Sequence, residues 1–258
     1  MGASFDQHFL CDAEAVARIA EVIPVAGRTV LEIGPGGGVL TEALLKRGAI
    51  VHAVELDTKL LPNLKSRFAE EIADGRFSIT VGDASKVALP DYEVVVANLP
   101  YSISSKITFR LLEAGFESAV LMYQLEFAKR MAAPSGDGEY GRLSVMCQTY
   151  ADVEFVMELS PESFCPPPEV WSAVVKITPR APPQRIFDRR VHADVVRECF
   201  SHRRKTVRNC LRGLASVYGK AAAVGLAEAL PGSVLDVRPE KLSVSDFISI
   251  ANILAGLV

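Results

Sequence analysis

From about residue 29 to residue 176, short aliphatic and β-branched runs alternate with longer stretches whose apolar residues recur at helical spacing. Thr29-Val30-Leu31-Glu32-Ile33 reads as a strand, and it runs into Gly34-Pro35-Gly36-Gly37-Gly38. Residues 39–47 follow with Leu40, Ala43 and Leu44 on one helical face and stop at Gly48. Residues 50–54 form a second strand that ends at Glu55, and 59–73 read as a helix with Pro62 tolerated near its first turn. Phe77–Val81, 93–97 and 119–123 supply further strands. This rhythm predicts an α/β fold: a largely parallel, Rossmann-like sheet with helices on both faces.

The pattern changes in the last third. Residues 153–159 and 172–177 are strand-like with no helix between them, which predicts an antiparallel pair at the sheet edge. Between them Phe164-Cys165-Pro166-Pro167-Pro168-Glu169-Val170 is too proline-rich for either element. The proline-rich stretch 179–183 reads as a rigid linker, and 192–218, 221–230 and 244–254 as helices. The expected organisation is a catalytic domain over 1–180 and a small all-α domain over 181–258, consistent with 258 residues.

An apolar fraction of 49% supports a full core, and no apolar run approaches the roughly 18 residues of a membrane span. The first residues lack the basic start and apolar centre of an export signal, and Asp6 stands where a myristoylation motif needs Ser or Thr. Five scattered cysteines with no Cys-x-x-Cys spacing support neither a disulfide framework nor a zinc site; a reduced, cytoplasmic setting and no metal are expected. The net charge of −3 hides an asymmetry. Residues 176–212 hold eleven Lys or Arg against three acids, a local +8 that leaves −11 for the remainder. An acidic catalytic body with a basic binding face has this pattern.

Candidate chemistry gathers where strands end. Glycines 34, 36 and 38 form a tight strand-to-helix turn that a ligand can approach without a Cβ in the way. A dinucleotide fingerprint would need glycine at position 39, where Val39 stands, so the spacing fits S-adenosylmethionine better than NAD. Glu55, 21 residues after Gly34, stands where a carboxylate accepts both ribose hydroxyls of an adenosine, and Asp83 where one could take an adenine amino group. After the fourth strand comes Asn98-Leu99-Pro100-Tyr101: a carboxamide, two adjacent carbonyls freed by the proline, and an aromatic face. These residues can hold a planar amino group and the ring that carries it. Together the strand ends point to a methyltransferase that uses S-adenosylmethionine.

With these motifs in view, the chain closely resembles the ribosomal RNA adenine dimethylase family along essentially its whole length. The likeness includes Gln7-His8-Phe9-Leu10, the glycine turn, Asn98-Leu99-Pro100-Tyr101, Ser163-Phe164-Cys165-Pro166-Pro167-Pro168-Glu169-Val170 and the basic run from Phe200 to Arg208. The stretch from Leu121-Met122-Tyr123-Gln124 to Tyr140-Gly141-Arg142-Leu143-Ser144 is similar to archaeal members in particular. The resemblance implies cofactor contacts from Gln7, His8, Leu10, Gly34, Gly36, Glu55, Leu56, Asp83, Ala84 and Asn98. His8 is a departure, since the family often has Asn there. The implied reaction is transfer of two methyl groups to N6 of each of two adjacent adenosines near the 3′ end of small-subunit (16S) rRNA during ribosome biogenesis.

In that reaction Asn98, Leu99 and Pro100 would line the acceptor pocket, and Tyr101 and Phe164 would sandwich the extruded base, each stack contributing about 1–3 kcal/mol. Arg203, Arg204, Lys205, Arg208 and Arg212 have helical spacing that would set several of them against RNA phosphates. The expected partner is the small-subunit precursor with its rRNA, met by a monomer with no membrane contact. Three alternatives compete: dimethylation of one adenine in large-subunit rRNA, an assembly factor with catalysis secondary or lost, and an NAD dehydrogenase.

Overall fold

The computed structural model describes residues 8–258, so Gln7 lies outside the described residues. The chain forms two compact units, one of residues 1–128 and 153–179, the other of 129–152 and 180–258. The first holds the strands: β1 (Phe9–Leu10), β2 (Thr29–Ile33), β3 (Ile50–Glu55), β4 (Phe77–Val81), β5 (Val94–Asn98), β6 (Ser118–Gln124), β7 (Ala151–Leu159, entering from the second unit), β8 (Phe164–Cys165) and β9 (Ser172–Pro179).

Seven of these strands make one sheet in the order β4-β3-β2-β5-β6-β9-β7. The pairs β2–β3, β3–β4, β2–β5 and β5–β6 are parallel, and β6–β9 is antiparallel. From β2 the chain winds outward to β3 and β4, then returns to the other side for β5 and β6. The carboxyl ends of β2 and β5 therefore flank the crevice at which such sheets bind ligands. Val30, Leu31, Val51, Ala53 and Val94 to Val96 are fully buried, which explains why these strands read as continuous apolar runs.

Two short strands were not predicted. β1 and β8 are two residues each and pair antiparallel, with Phe9 opposite Cys165 and Leu10 opposite Phe164. Strands this short leave no periodic signal. The predicted helix over 59–73 is two helices, Leu61–Arg67 and Ala69–Ala73. They break at Phe68, whose ring turns in against Phe77 with centroids 5.1 Å apart.

The second unit is all helical apart from the start of β7, and it differs from the expected domain in two ways. Residues 129–152, read as part of the first domain, share a core with the C-terminal helices: Ala133, Tyr140 and Val145 pack with Val195, Leu211 and Phe247. A linker marks where composition changes, whereas the direction of an apolar face decides what packs together. The predicted helix 192–218 is also interrupted. It ends at Ser201, turns through His202–Thr206 and resumes as Val207–Leu211. The thiol of Cys210 caps the turn, donating towards the carbonyls of Cys199 and His202. Gly213 lies against the Glu198 carboxylate, so a Cβ there would require that side chain to move.

Candidate active site

A cleft opens above the carboxyl ends of β2, β3, β4 and β5. On one side it is bordered by His8, Phe9, Gly36, Asn98, Leu99 and Tyr101, on the other by Leu56, Asp57, Asp83, Ala84 and Ile103, with Gly34, Glu55 and Pro100 common to both. Every described residue assigned from the sequence to the cofactor lines it or, like Leu10, packs beneath it in the core and borders the neighbouring hollow by the glycine turn.

The glycine turn is shaped by rings on either side. Gly36 and Gly38 have φ of 56° and 82°, in the left-handed region. A Cβ at Gly36 would meet the Phe9 ring at 2.6 Å, and one at Gly38 the Phe68 ring at 2.5 Å. The backbone N–H of Gly36 donates to Glu55 Oε2 (3.3 Å) and that of Asp57 to Oε1 (2.7 Å), which fixes the carboxylate at the end of β3. Burial pushes the Glu55 pKa up, and the N–H groups of Asp57 and Gly36 oppose that rise.

Two further acids frame the site with opposite electrostatics. Glu32 is fully enclosed on β2 and accepts from Thr41 Oγ1 at 2.6 Å; burial, with Glu55 nearby, raises its pKa to about 8. Burial therefore disfavours its charged form. Asp83 is held to about 2 by its hydrogen bonds with Ser85 and by Lys86, whose Nζ lies 3.0 Å away, so it stays a carboxylate. Arg110 donates to the carbonyls of Ala84 and Val87 and anchors this loop. A glycine turn open to close approach, a fixed carboxylate at Glu55, a second at Asp83 and apolar flanks at Leu56 and Ile103 fit S-adenosylmethionine.

The substrate side is organised around Asn98. Its Nδ2 donates to the His8 carbonyl at 3.0 Å, so the carboxamide oxygen is the end left to accept. The Pro100 carbonyl is taken up by the Ile103 N–H (3.1 Å) and Ser104 Oγ (3.2 Å), which removes it from the acceptors expected around the proline. The Tyr101 hydroxyl is 2.6 Å from Ser172 Oγ, and its ring stacks with His8, centroids 5.9 Å apart and planes at 26°.

Phe164 does not join them. It is 2% exposed and packs in the main core with Leu10 and Val16, because alternation along β8 turns Phe164 inward and Cys165 outward. The aromatic partner of Tyr101 in this structure is His8. The sequence alone does not point to Ile103, Arg110 or Ser172, and Phe9 enters it only within the Gln7-His8-Phe9-Leu10 motif; Asp57, two residues beyond a strand-end acid, carries a local signal.

The basic residues divide. Arg208 pairs with Asp236 at 2.8 Å, and Arg203 donates to the Gly138 carbonyl. Arg204, Lys205 and Arg212 are exposed and make no ion pair among the described residues. Arg203, Arg204 and Lys205 stand in the 202–206 turn, not on the helix face that their spacing predicted.

The sequence matches the Ribosomal RNA adenine dimethylase family over residues 2–255. It is 54% identical over 256 residues to a probable ribosomal RNA small subunit methyltransferase A of Methanospirillum hungatei, covering 99% of this chain and 100% of the relative. The corresponding protein of Halobacterium salinarum is 44% identical, covering 98% and 90%. Among solved structures, a dimethyladenosine transferase from Plasmodium falciparum aligns with a TM-score of 0.78 at 29% identity, covering 94% of this chain and 96% of the other. The 23S rRNA methyltransferase ErmE aligns with a TM-score of 0.67, also at 29% identity, covering 96% and 99%. With its cleft, its motifs and these relatives, the chain belongs to the ribosomal RNA adenine dimethylase family.

Proposed function

We propose that this protein dimethylates N6 of two adjacent adenosines near the 3′ end of small-subunit rRNA, acting in the cytoplasm as a monomer on a precursor of the small subunit. The observation that carries the reading is the orientation of Asn98. With Nδ2 committed to the His8 carbonyl, Oδ1 is left to accept, and an exocyclic amino group is the donor that suits it.

S-adenosylmethionine, when bound, supplies an electrophilic methyl group on a sulfonium. The residues around it have the task of raising the nucleophilicity of an aromatic amine. The N6 lone pair is delocalised into the purine. Acceptance of the amino hydrogens by Asn98 Oδ1 and the Leu99 carbonyl favours a tetrahedral nitrogen whose lone pair points towards the methyl group. The nitrogen turns acidic only as it is alkylated, so no strong base is required. Tyr101, fixed through Ser172, offers the face on which the base stacks. Phe164 could serve as a second face only after leaving the core. Arg204, Lys205 and Arg212, exposed and in no ion pair among the described residues, are the cations available to RNA phosphates, with Arg203 and Arg208 contributing if they exchange their present partners.

The curated relatives carry small-subunit names, whereas ErmE is a large-subunit enzyme, so the target is the point to test. Purified under-methylated small and large subunits would be incubated with labelled S-adenosylmethionine and the modified nucleotides mapped. Label in two neighbouring small-subunit adenosines is expected. Label confined to one large-subunit adenine would overturn the reading.

A further inference from the structure

Beside the cleft, β1 and β8 bring together two cysteines 154 positions apart. Their Sγ atoms lie 2.7 Å from each other, and both side chains are exposed. The other three cysteines are buried, so these two are the thiols an oxidant in solvent reaches. Cys11 follows β1 directly, with its N–H on the Ser163 carbonyl at 2.9 Å, and Cys165 closes β8 opposite Phe9. The same strand pair holds His8. Its Nδ1 donates to the Pro166 carbonyl at 2.9 Å, its own carbonyl receives Asn98, and its ring covers Tyr101. A base stacking on that face of Tyr101 needs the space His8 fills. To clear it, His8 must part from Pro166, one residue beyond Cys165.

We propose that Cys11 and Cys165 are a redox-active dithiol whose disulfide ties β1 to β8 and holds His8 over Tyr101, closing the target-base side of the cleft under oxidation. The effect on turnover rests on the methyl-transfer reading; formation of the disulfide does not. With a peroxide as oxidant, one thiolate attacks a peroxide oxygen, the O–O bond breaks, and a sulfenic acid and one water result. The second thiolate then attacks the sulfenic sulfur, the S–S bond forms and a second water leaves. Two thiols lose two electrons and two protons, and hydrogen peroxide becomes two waters. A dithiol reductant reverses the change.

The full-length protein would be treated with hydrogen peroxide, quenched with catalase, and compared with its dithiothreitol-reduced form and with Cys11→Ser and Cys165→Ser. Expected are a peptide pair linking positions 11 and 165, a rise in Tm reversed by dithiothreitol, and neither effect in the variants. In the cross-linked protein, methyl transfer to under-methylated small subunits should fall severalfold while the Kd for S-adenosylmethionine stays within a factor of two. Both serine variants should keep the reduced wild-type rate after peroxide. Absence of the 11–165 link would overturn the proposal, as would a cross-linked protein that methylates at the reduced rate. If the reduced protein transfers no methyl groups, the functional reading falls and the closure falls with it, while mapping and melting still decide the disulfide.

Discussion

As proposed, Asn98 acts through orientation: a carboxamide can accept and donate, and donation of Nδ2 to the His8 carbonyl leaves Oδ1 to accept. In the proposed reaction, Asn98→Ala should lower methyl transfer by about a hundredfold or more, the range seen when one preorganised polar group is removed from a reacting centre. Labelled-methyl assays would read the loss, and an unchanged melting curve would assign it to chemistry. Glu32 makes a second prediction. Its carboxyl is protonated more readily folded, near pH 8, than unfolded, near 4.5, so the folded state binds the extra proton between those values. Stability therefore falls as pH rises through that window, by up to about 1.4 kcal/mol per unit. Glu32→Gln, which keeps an acceptor for Thr41, should flatten that slope in urea titrations at pH 5 to 8. These residue types are legible in the sequence because strand ends and glycines announce themselves. Phe164 is not, because a two-residue strand gives no periodicity from which to tell its inner face from its outer one.

Among the elements, the turn from β2 into the helix Val39–Lys46 depends on a long-range contact. Gly38 caps that helix with φ of 82°, and the Phe68 ring fills the place of its missing Cβ. Gly38→Ala combines left-handed strain with overpacking against an aromatic ring, each of order 1 kcal/mol or more, so a loss of about 2–4 kcal/mol is expected in denaturant melts. Affinity for S-adenosylmethionine should fall with it, because the same turn carries Gly36 and thereby Glu55. The glycine spacing predicted the turn; Phe68 is 30 residues away and invisible to any local pattern. The 202–206 turn teaches the converse. The spacing of its cations suggested a continuous helix, yet the chain turns there, and the Cys210 thiol donates towards the carbonyls of Cys199 and His202 that the break leaves open.

For the molecule as a whole, charge asymmetry along the chain becomes a question of which cations remain unpaired. Removing Arg204, Lys205 and Arg212 together should lower RNA affinity and reduce the slope of log K against log salt by about 2 to 3, close to one counterion for each phosphate that is no longer neutralised. Arg208→Ala, a residue already paired with Asp236, should change the slope less. Filter binding of small-subunit rRNA across a salt series would measure both. Legible along the chain alone are the parallel α/β frame, the acids and glycines at its strand ends, the helical character of the C-terminal part and the surplus of positive charge there. All of these follow from local periodicity, backbone conformation and residue type. Packing in three dimensions is what joins 129–152 to the C-terminal helices, sets His8 rather than Phe164 against Tyr101, commits Asn98 Nδ2 to the His8 carbonyl, and brings Cys11 to Cys165. Each depends on residues far apart in sequence meeting in a packed fold, and no spacing along the chain encodes such a meeting.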